Sequence, residues 1–152
     1  MRNYLIIFLF LIIASSCNQI SDMSMQIQHD YEFNEVISNT NRIVIRTKKP
    51  NQTECADEEK CFENNYLETK DLQQVKFIDS LLNQTPKTEY CCCPNTNYSI
   101  AFYNDTTRIS TYYADTLEFK NKVRIFEASY QFSFIIEKAI WKSFLKELNR
   151  KN

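Results

Sequence analysis

Arg42–Lys48 reads RIVIRTK, with Ile43 and Ile45 on the same side of an extended chain, and this alternation predicts a strand. Farther along, Tyr98, Ile100 and Phe102 alternate with Ser99 and Ala101. After a polar break at residues 104–107 the same period returns in Ile109, Thr111 and Tyr113. Two alternating runs around a short polar turn predict a β-hairpin. Lys122–Glu127 and residues 130–136 predict two more strands, the second with Tyr130, Phe132 and Phe134 on one face, joined by a bend at Ala128 and Ser129.

Twice the period lengthens to that of a helix. Thr69 supplies a capping hydroxyl, Asp71 lies in the first turn, and Leu72, Val75, Ile78, Leu81 and Leu82 form an apolar stripe that Pro86 closes. Near the other end, Trp141, Phe144, Leu145 and Leu148 stand at i, i+3, i+4 and i+7. Lys142 and Lys146 lie off that stripe, and Arg150 and Lys151 follow where a helix favours positive charge. Residues 50–65 are polar and acidic and read as a loop. Tyr31, Asn34, Glu35, Val36 and Ile37 fit a short helix, although Met25, Ile27, Tyr31 and Phe33 also alternate as a strand would. Together these elements predict an α+β fold, an antiparallel sheet of about four or five strands with amphipathic helices packed on one face. The aromatic strand positions are expected to form its core.

The first residues follow a different pattern. Arg2 begins a short basic start, residues 5–13 (LIIFLFLII) are continuously apolar, and Ala14, Ser15 and Ser16 are small. That order predicts a secretory signal peptide, with an apolar core too short for a stable membrane span. Cys17 follows at once, and "IIASSC" resembles the lipobox of bacterial lipoproteins. The resemblance covers the leader alone. It implies that Cys17 becomes the diacylated first residue of an exported chain held on a bacterial membrane, expected to be the outer membrane, facing the periplasm or the surface. Several acyl chains hold a protein far more firmly than one. Ala14 stands where leucine is commonest in a lipobox, and Ala14 with Ser16 also suits an ordinary signal peptidase, whose cut would leave Cys17 a free thiol. The expected organisation is a signal peptide at 1–16, a lipidated tether at 17–28 and one α+β domain at 29–152.

Composition narrows the chemistry. The 152 residues include no glycine, which excludes a phosphate-cradling Walker loop, a dinucleotide fingerprint and a nucleophile elbow. Tight turns must then use Asn or Asp, which tolerate left-handed backbone, and Asn104, Asp105 and Asn121 are the candidates. With 18 basic and 19 acidic residues and no clustered basic face, nucleic acid is not an expected partner. A hydrophobic fraction of 43% is too high for a disordered tail.

If Cys17 carries lipid, five thiols remain at Cys55, Cys61, Cys91, Cys92 and Cys93. In an oxidising compartment paired cysteines become disulfides. Side chains alternate along an extended stretch, so Cys91 and Cys93 point one way and Cys92 the other. Cys55 and Cys61 can each meet one of that pair, leaving Cys92 as the free thiol. Each bridge would close a loop of about thirty-odd residues and contribute roughly 3–4 kcal/mol. A direct Cys55–Cys61 bridge is the rival arrangement. Four thiolates from the same residues could instead surround zinc, although C-x5-C and C-x-C are not its usual spacings. Thiol redox catalysis lacks the C-x-x-C motif. No cofactor is expected.

His29 is the one histidine, so a serine–histidine–aspartate triad would have to rest on it. Among nineteen acids no spacing singles out a catalytic pair. Asp79-Ser80-Leu81, Asp105-Thr106-Thr107 and Asp115-Thr116-Leu117 resemble the D-[ST]-hydrophobic O-glycosylation sites of exported Bacteroidetes proteins. Thr106, in the hairpin turn, is the most suitable acceptor. The layout as a whole looks like that of small Bacteroidetes lipoproteins: a short leader, a cysteine-bearing approach to the Tyr98-Ser99-Ile100-Ala101-Phe102-Tyr103 strand, and a final amphipathic helix. That family implies no activity. The expectation is a non-enzymatic envelope protein, anchored through its lipid, that binds a protein or glycan partner. Alternatives are an inhibitor or immunity protein against an envelope-lytic enzyme, and a cysteine metal or thiol-redox protein.

Overall fold

A computed structural model of the chain describes residues 35–50, 58–89, 95–127 and 132–151. The chain divides into two units, Met1–Glu35 and Val36–Asn152, and apart from Glu35 the described residues belong to the second. The expected leader, tether, Cys17 and His29 lie outside the described residues. Residues 35–38 are helical, as the short-helix reading expects.

Eight strands form one sheet: β1 (Arg42–Lys48), β2 (Phe62–Thr69), β3 (Lys87–Glu89), β4 (Tyr98–Asn104), β5 (Thr107–Asp115), β6 (Lys122–Glu127), β7 (Phe132–Glu137) and β8 (Asn149–Lys151). Their order is β3-β7-β6-β5-β4-β1-β2-β8, and every neighbouring pair is antiparallel. The helices are α1 (Glu58–Cys61), α2 (Leu72–Asn83) and α3 (Lys138–Glu147). The fold is thus mostly antiparallel sheet with a few helices, and the expected four or five strands are too few. Two of the added strands, β3 and β8, are three-residue margins, too short to show a period. A third, β2, takes in the last four residues of the expected loop at 50–65, because its Asn64 and Asn65 interrupt the apolar signal.

Strand alternation assigns the faces. Ile43 pairs with Phe102 and Ile45 with Ile100, while Ile100 pairs with Tyr112 and Ile125 with Phe134. These side chains share one face and are all buried. Trp141 of α3 meets Tyr98 of this face edge-on at 5.6 Å, and Phe144 stacks on Phe77 of α2 at 5.9 Å. The expected hairpin forms as β4 and β5. A register shift between Phe102 and Tyr103 leaves Tyr113 opposite Ser99, on the other face. There its ring stacks with Phe62 at 6.4 Å and lies 5.9 Å from Phe126.

Helix ends differ from expectation for local reasons. Asp71, not Thr69, is the N-cap of α2, and its carboxylate accepts from Gln73 N–H at 2.8 Å. Thr69 ends β2, and its hydroxyl accepts the Asp71 N–H at 3.0 Å. Leu72 begins the helix but is exposed. Arg150 and Lys151 do not extend α3, since the chain turns after Glu147 to lay β8 against Tyr66–Glu68. In the glycine-free hairpin turn Asp105 takes φ 51°, as the composition requires. Asn121 does not adopt that conformation.

Candidate functional site

Two polar regions stand out, and they differ in how their hydrogen-bonding groups are used. The first centres on Arg124 of β6. Its Nε donates to Glu118 Oε2 at 2.6 Å and its Nη2 to Glu118 Oε1 at 2.7 Å. Nη1 donates to Ser133 Oγ at 2.6 Å and to Thr88 Oγ1 at 3.2 Å. Phe119 lies under the guanidinium at 5.4 Å. Buried Asp115 sets the loop that presents Glu118. One of its oxygens accepts from Leu117 and Glu118 N–H at 2.8 and 3.1 Å, the other from Asn95 N–H at 3.2 Å. A buried guanidinium needs partners, and here each of the three nitrogens donates to at least one oxygen. The cluster is chemically saturated and offers nothing to a ligand.

The second region is a cleft of about 370 Å³. Strand alternation brings Ile45 and Thr47 of β1, Glu63, Asn65 and Leu67 of β2, and Tyr98 of β4 to it, and register sets Ile45 beside Leu67 and Thr47 beside Tyr98. Tyr66 also lines the cleft, and Arg46 lies over its ring at 5.5 Å. From α3 comes Leu145, one turn beyond the Trp141 that packs on Tyr98. The cleft stays open at the sheet margin because β8 pairs with Tyr66–Glu68 and no further.

Among the described residues, no side-chain hydrogen bond is made by Thr47, Glu63, Asn65, Tyr66 or Tyr98. Nearby, the buried Trp141 Nε1 also lacks one. Of the described lining residues Glu63 is the one acid, so the paired carboxylates of glycoside hydrolysis are not assembled there. Hydroxyls, an amide and a carboxylate above Ile45, Leu67 and Leu145 make an arrangement suited to holding a polar ligand with an apolar side.

Of the residues singled out in the sequence, Cys55, Cys91, Cys92 and Cys93 lie outside the described residues. Cys61 is the buried last residue of α1, and its carbonyl accepts from Lys49 N–H at 2.9 Å. Thr106 is exposed in the two-residue turn between β4 and β5. The two other candidate acceptors are less free: Ser80 Oγ accepts from Gln84 Nε2 at 3.0 Å, and Thr116 Oγ1 donates to Asn97 Oδ1 at 3.3 Å. Among the described residues, no group of three or more His, Cys, Asp or Glu could hold a metal, and no helix is long and apolar enough to cross a membrane. Glu63 and Asn65 were hidden in the expected loop, and Tyr66 follows it directly. The signal that would have found them is Phe62 and Tyr66 on one side of an extended run, with Leu67 opening the other.

Comparison of the chain with protein-family models, with curated proteins and with solved structures finds no match to any of them.

Proposed function

We propose that this chain is a membrane-anchored envelope lipoprotein whose domain binds a partner and does not catalyse. Cys17 carries the lipid after residues 1–16 are removed, and residues 17–28 tether a domain in which α2 and α3 cover one face of the sheet. The cleft beside β2 is the binding site. The observation that carries the binding reading is the contrast between the two polar regions: all three guanidinium nitrogens of Arg124 are engaged, whereas among the described residues the polar side chains of the cleft make no side-chain hydrogen bond.

Disulfide stitching of Cys55 and Cys61 to Cys91 and Cys93 belongs to the same reading, with Cys92 the remaining thiol. Its support is local. Lys48 N–H donates to Asn97 carbonyl at 2.8 Å and Lys49 N–H to Cys61 carbonyl at 2.9 Å, so these two segments flank the end of β1. Two strand spacings are roughly 10 Å, a gap the few residues between Cys93 and Asn97 can span.

Intact mass of the full chain from bacterial membranes, before and after thiol alkylation, tests the anchor and the bridges together. The expected result is an acyl-sized increment, lost in Cys17→Ser, with one alkylated thiol. An unmodified Cys17 refutes the anchor, and four or five alkylated thiols refute the stitching. Binding is tested in the same membranes with a photoreactive residue at Asn65. A specific adduct is expected there and not from the exposed control position Leu117. Equal labelling from both positions, or none from Asn65, refutes the site.

A further inference from the structure

We infer that the cleft takes a neutral saccharide. This rests on the binding reading above and names its ligand class. The described lining offers the hydroxyls of Thr47 and Tyr98, the amide of Asn65 and the carboxylate of Glu63, over apolar Ile45, Leu67 and Leu145, while Tyr66 alternates to the other face beside Arg46. No lysine, arginine or histidine is among the described lining residues. Arg46, the cation next in sequence, lies over the Tyr66 ring. A phosphate, sulfate or carboxylate entering here would face Glu63 with no cation among the described lining residues, which disfavours an anionic ligand.

The remaining choice is between an organic cation and a neutral polar molecule. Glu63 alone would suit a cation, but an ammonium only donates. It would leave the donors of the Asn65 amide and of the Thr47 and Tyr98 hydroxyls unmatched. A sugar hydroxyl both donates and accepts. It can give its proton to Glu63 and accept from Asn65 or a tyrosine, while the C–H face of the ring covers Ile45, Leu67 and Leu145. The volume lies near the lower end of the roughly 300–1,000 Å³ found for small-molecule sites. A short piece of oligosaccharide fits that size, and a folded partner does not.

Trp141 is the single tryptophan of the chain and packs 5.6 Å from Tyr98, so its fluorescence reports on the cleft. The full chain is titrated with tri-N-acetylchitotriose and maltotriose as neutral probes, trilysine as a cationic probe and a sulfated disaccharide as an anionic one. Saturable change with at least one neutral probe and none with the sulfated probe is expected. Asn65→Ala and Glu63→Gln should each weaken that binding about fivefold or more, the loss from one hydrogen bond. Among the described residues neither side chain has a hydrogen-bonding partner to lose, and unchanged circular dichroism checks that both variants fold.

Silence from both neutral probes at tens of millimolar overturns the inference. So does saccharide binding that both variants leave unchanged, since that binding lies elsewhere. Binding of trilysine abolished by Glu63→Gln replaces the saccharide with a basic peptide and leaves the cleft as the binding site. Silent probes with a lipidated Cys17 and an Asn65 adduct refute the ligand class alone. Saccharide binding together with an unmodified Cys17 in the chain taken from membranes refutes the anchor alone.

Discussion

Asn41 and Asp105, 64 positions apart, hold each other from both ends: Asn41 Nδ2 donates to Asp105 Oδ1 at 2.7 Å, and Asp105 N–H donates to Asn41 Oδ1 at 2.8 Å. The clamp fixes a turn in which Asp105 takes the left-handed backbone that glycine would usually supply. Asp105→Ala keeps the unfavourable φ and loses the carboxylate, and should cost about 1–2 kcal/mol. Asp105→Gly loses the same bond but relieves the backbone, so it should cost less than alanine. Urea denaturation of the two variants decides the order; alanine at or above the stability of glycine would contradict the account.

The pairing of Arg124 with Glu118 yields a second prediction. Removing one member of a buried pair leaves the other charge uncompensated, at about 3–5 kcal/mol when both are buried. The Glu118 side chain is 30% exposed, so Glu118→Ala should cost about 2–3 kcal/mol. Glu118→Ala combined with Arg124→Met, which removes both charges, should cost less than the two single changes added together. A double-mutant cycle in urea measures the coupling.

Lys87 should make stability depend on pH. Its Nζ is buried, 5.9 Å over the Phe134 ring, and burial holds the ammonium below the ordinary value of 10.5, with the nearby Glu127 pulling the other way. The unfolded chain therefore binds more protons between the folded value and 10.5, and stability rises with pH across that window. The contribution is complete above 10.5 and is lost as pH falls through the folded value. Lys87→Met should be more stable than the parent at neutral pH, with the difference shrinking as pH approaches 10.5. Urea midpoints at several alkaline pH values would show a constant difference if the amine were not held in this way.

Asp71→Ala should destabilise the chain by about 1 kcal/mol through loss of the cap on Gln73 N–H. Thr69→Val tests the alternative assignment. Thr69 lies in β2 and is buried, so valine keeps a strand-forming side chain and loses only the bond to Asp71 N–H. The cap change should therefore reduce helical circular dichroism more than the strand change does.

What could be read in the sequence was what a long period writes. The boundaries of β1 and β6 and the existence of α2, α3 and the β4–β5 hairpin all follow from alternation or from a stripe. The cap moved by two residues because Thr69 and Asp71 both offer an oxygen, and the backbone already belongs to β2 at Thr69. The second face was harder to read. Val123, Arg124, Ile125 and Phe126 are all buried, so β6 shows no polar side, and only its partners Glu118, Ser133 and Thr88 explain the arginine. The cleft was illegible for a related reason. Its residues come from three strands and a helix, and a strand register, not a motif, gathers them.

Both margins of the sheet, β3 and β8, are only three residues long. A neighbouring copy seeking to continue the ladder along β3 or β8 would find only a few hydrogen bonds on either strand, too few for those strands alone to hold two chains together edge to edge. Many molecules crowded onto one surface could thus stand side by side without polymerising, and the sheet would remain the property of each copy.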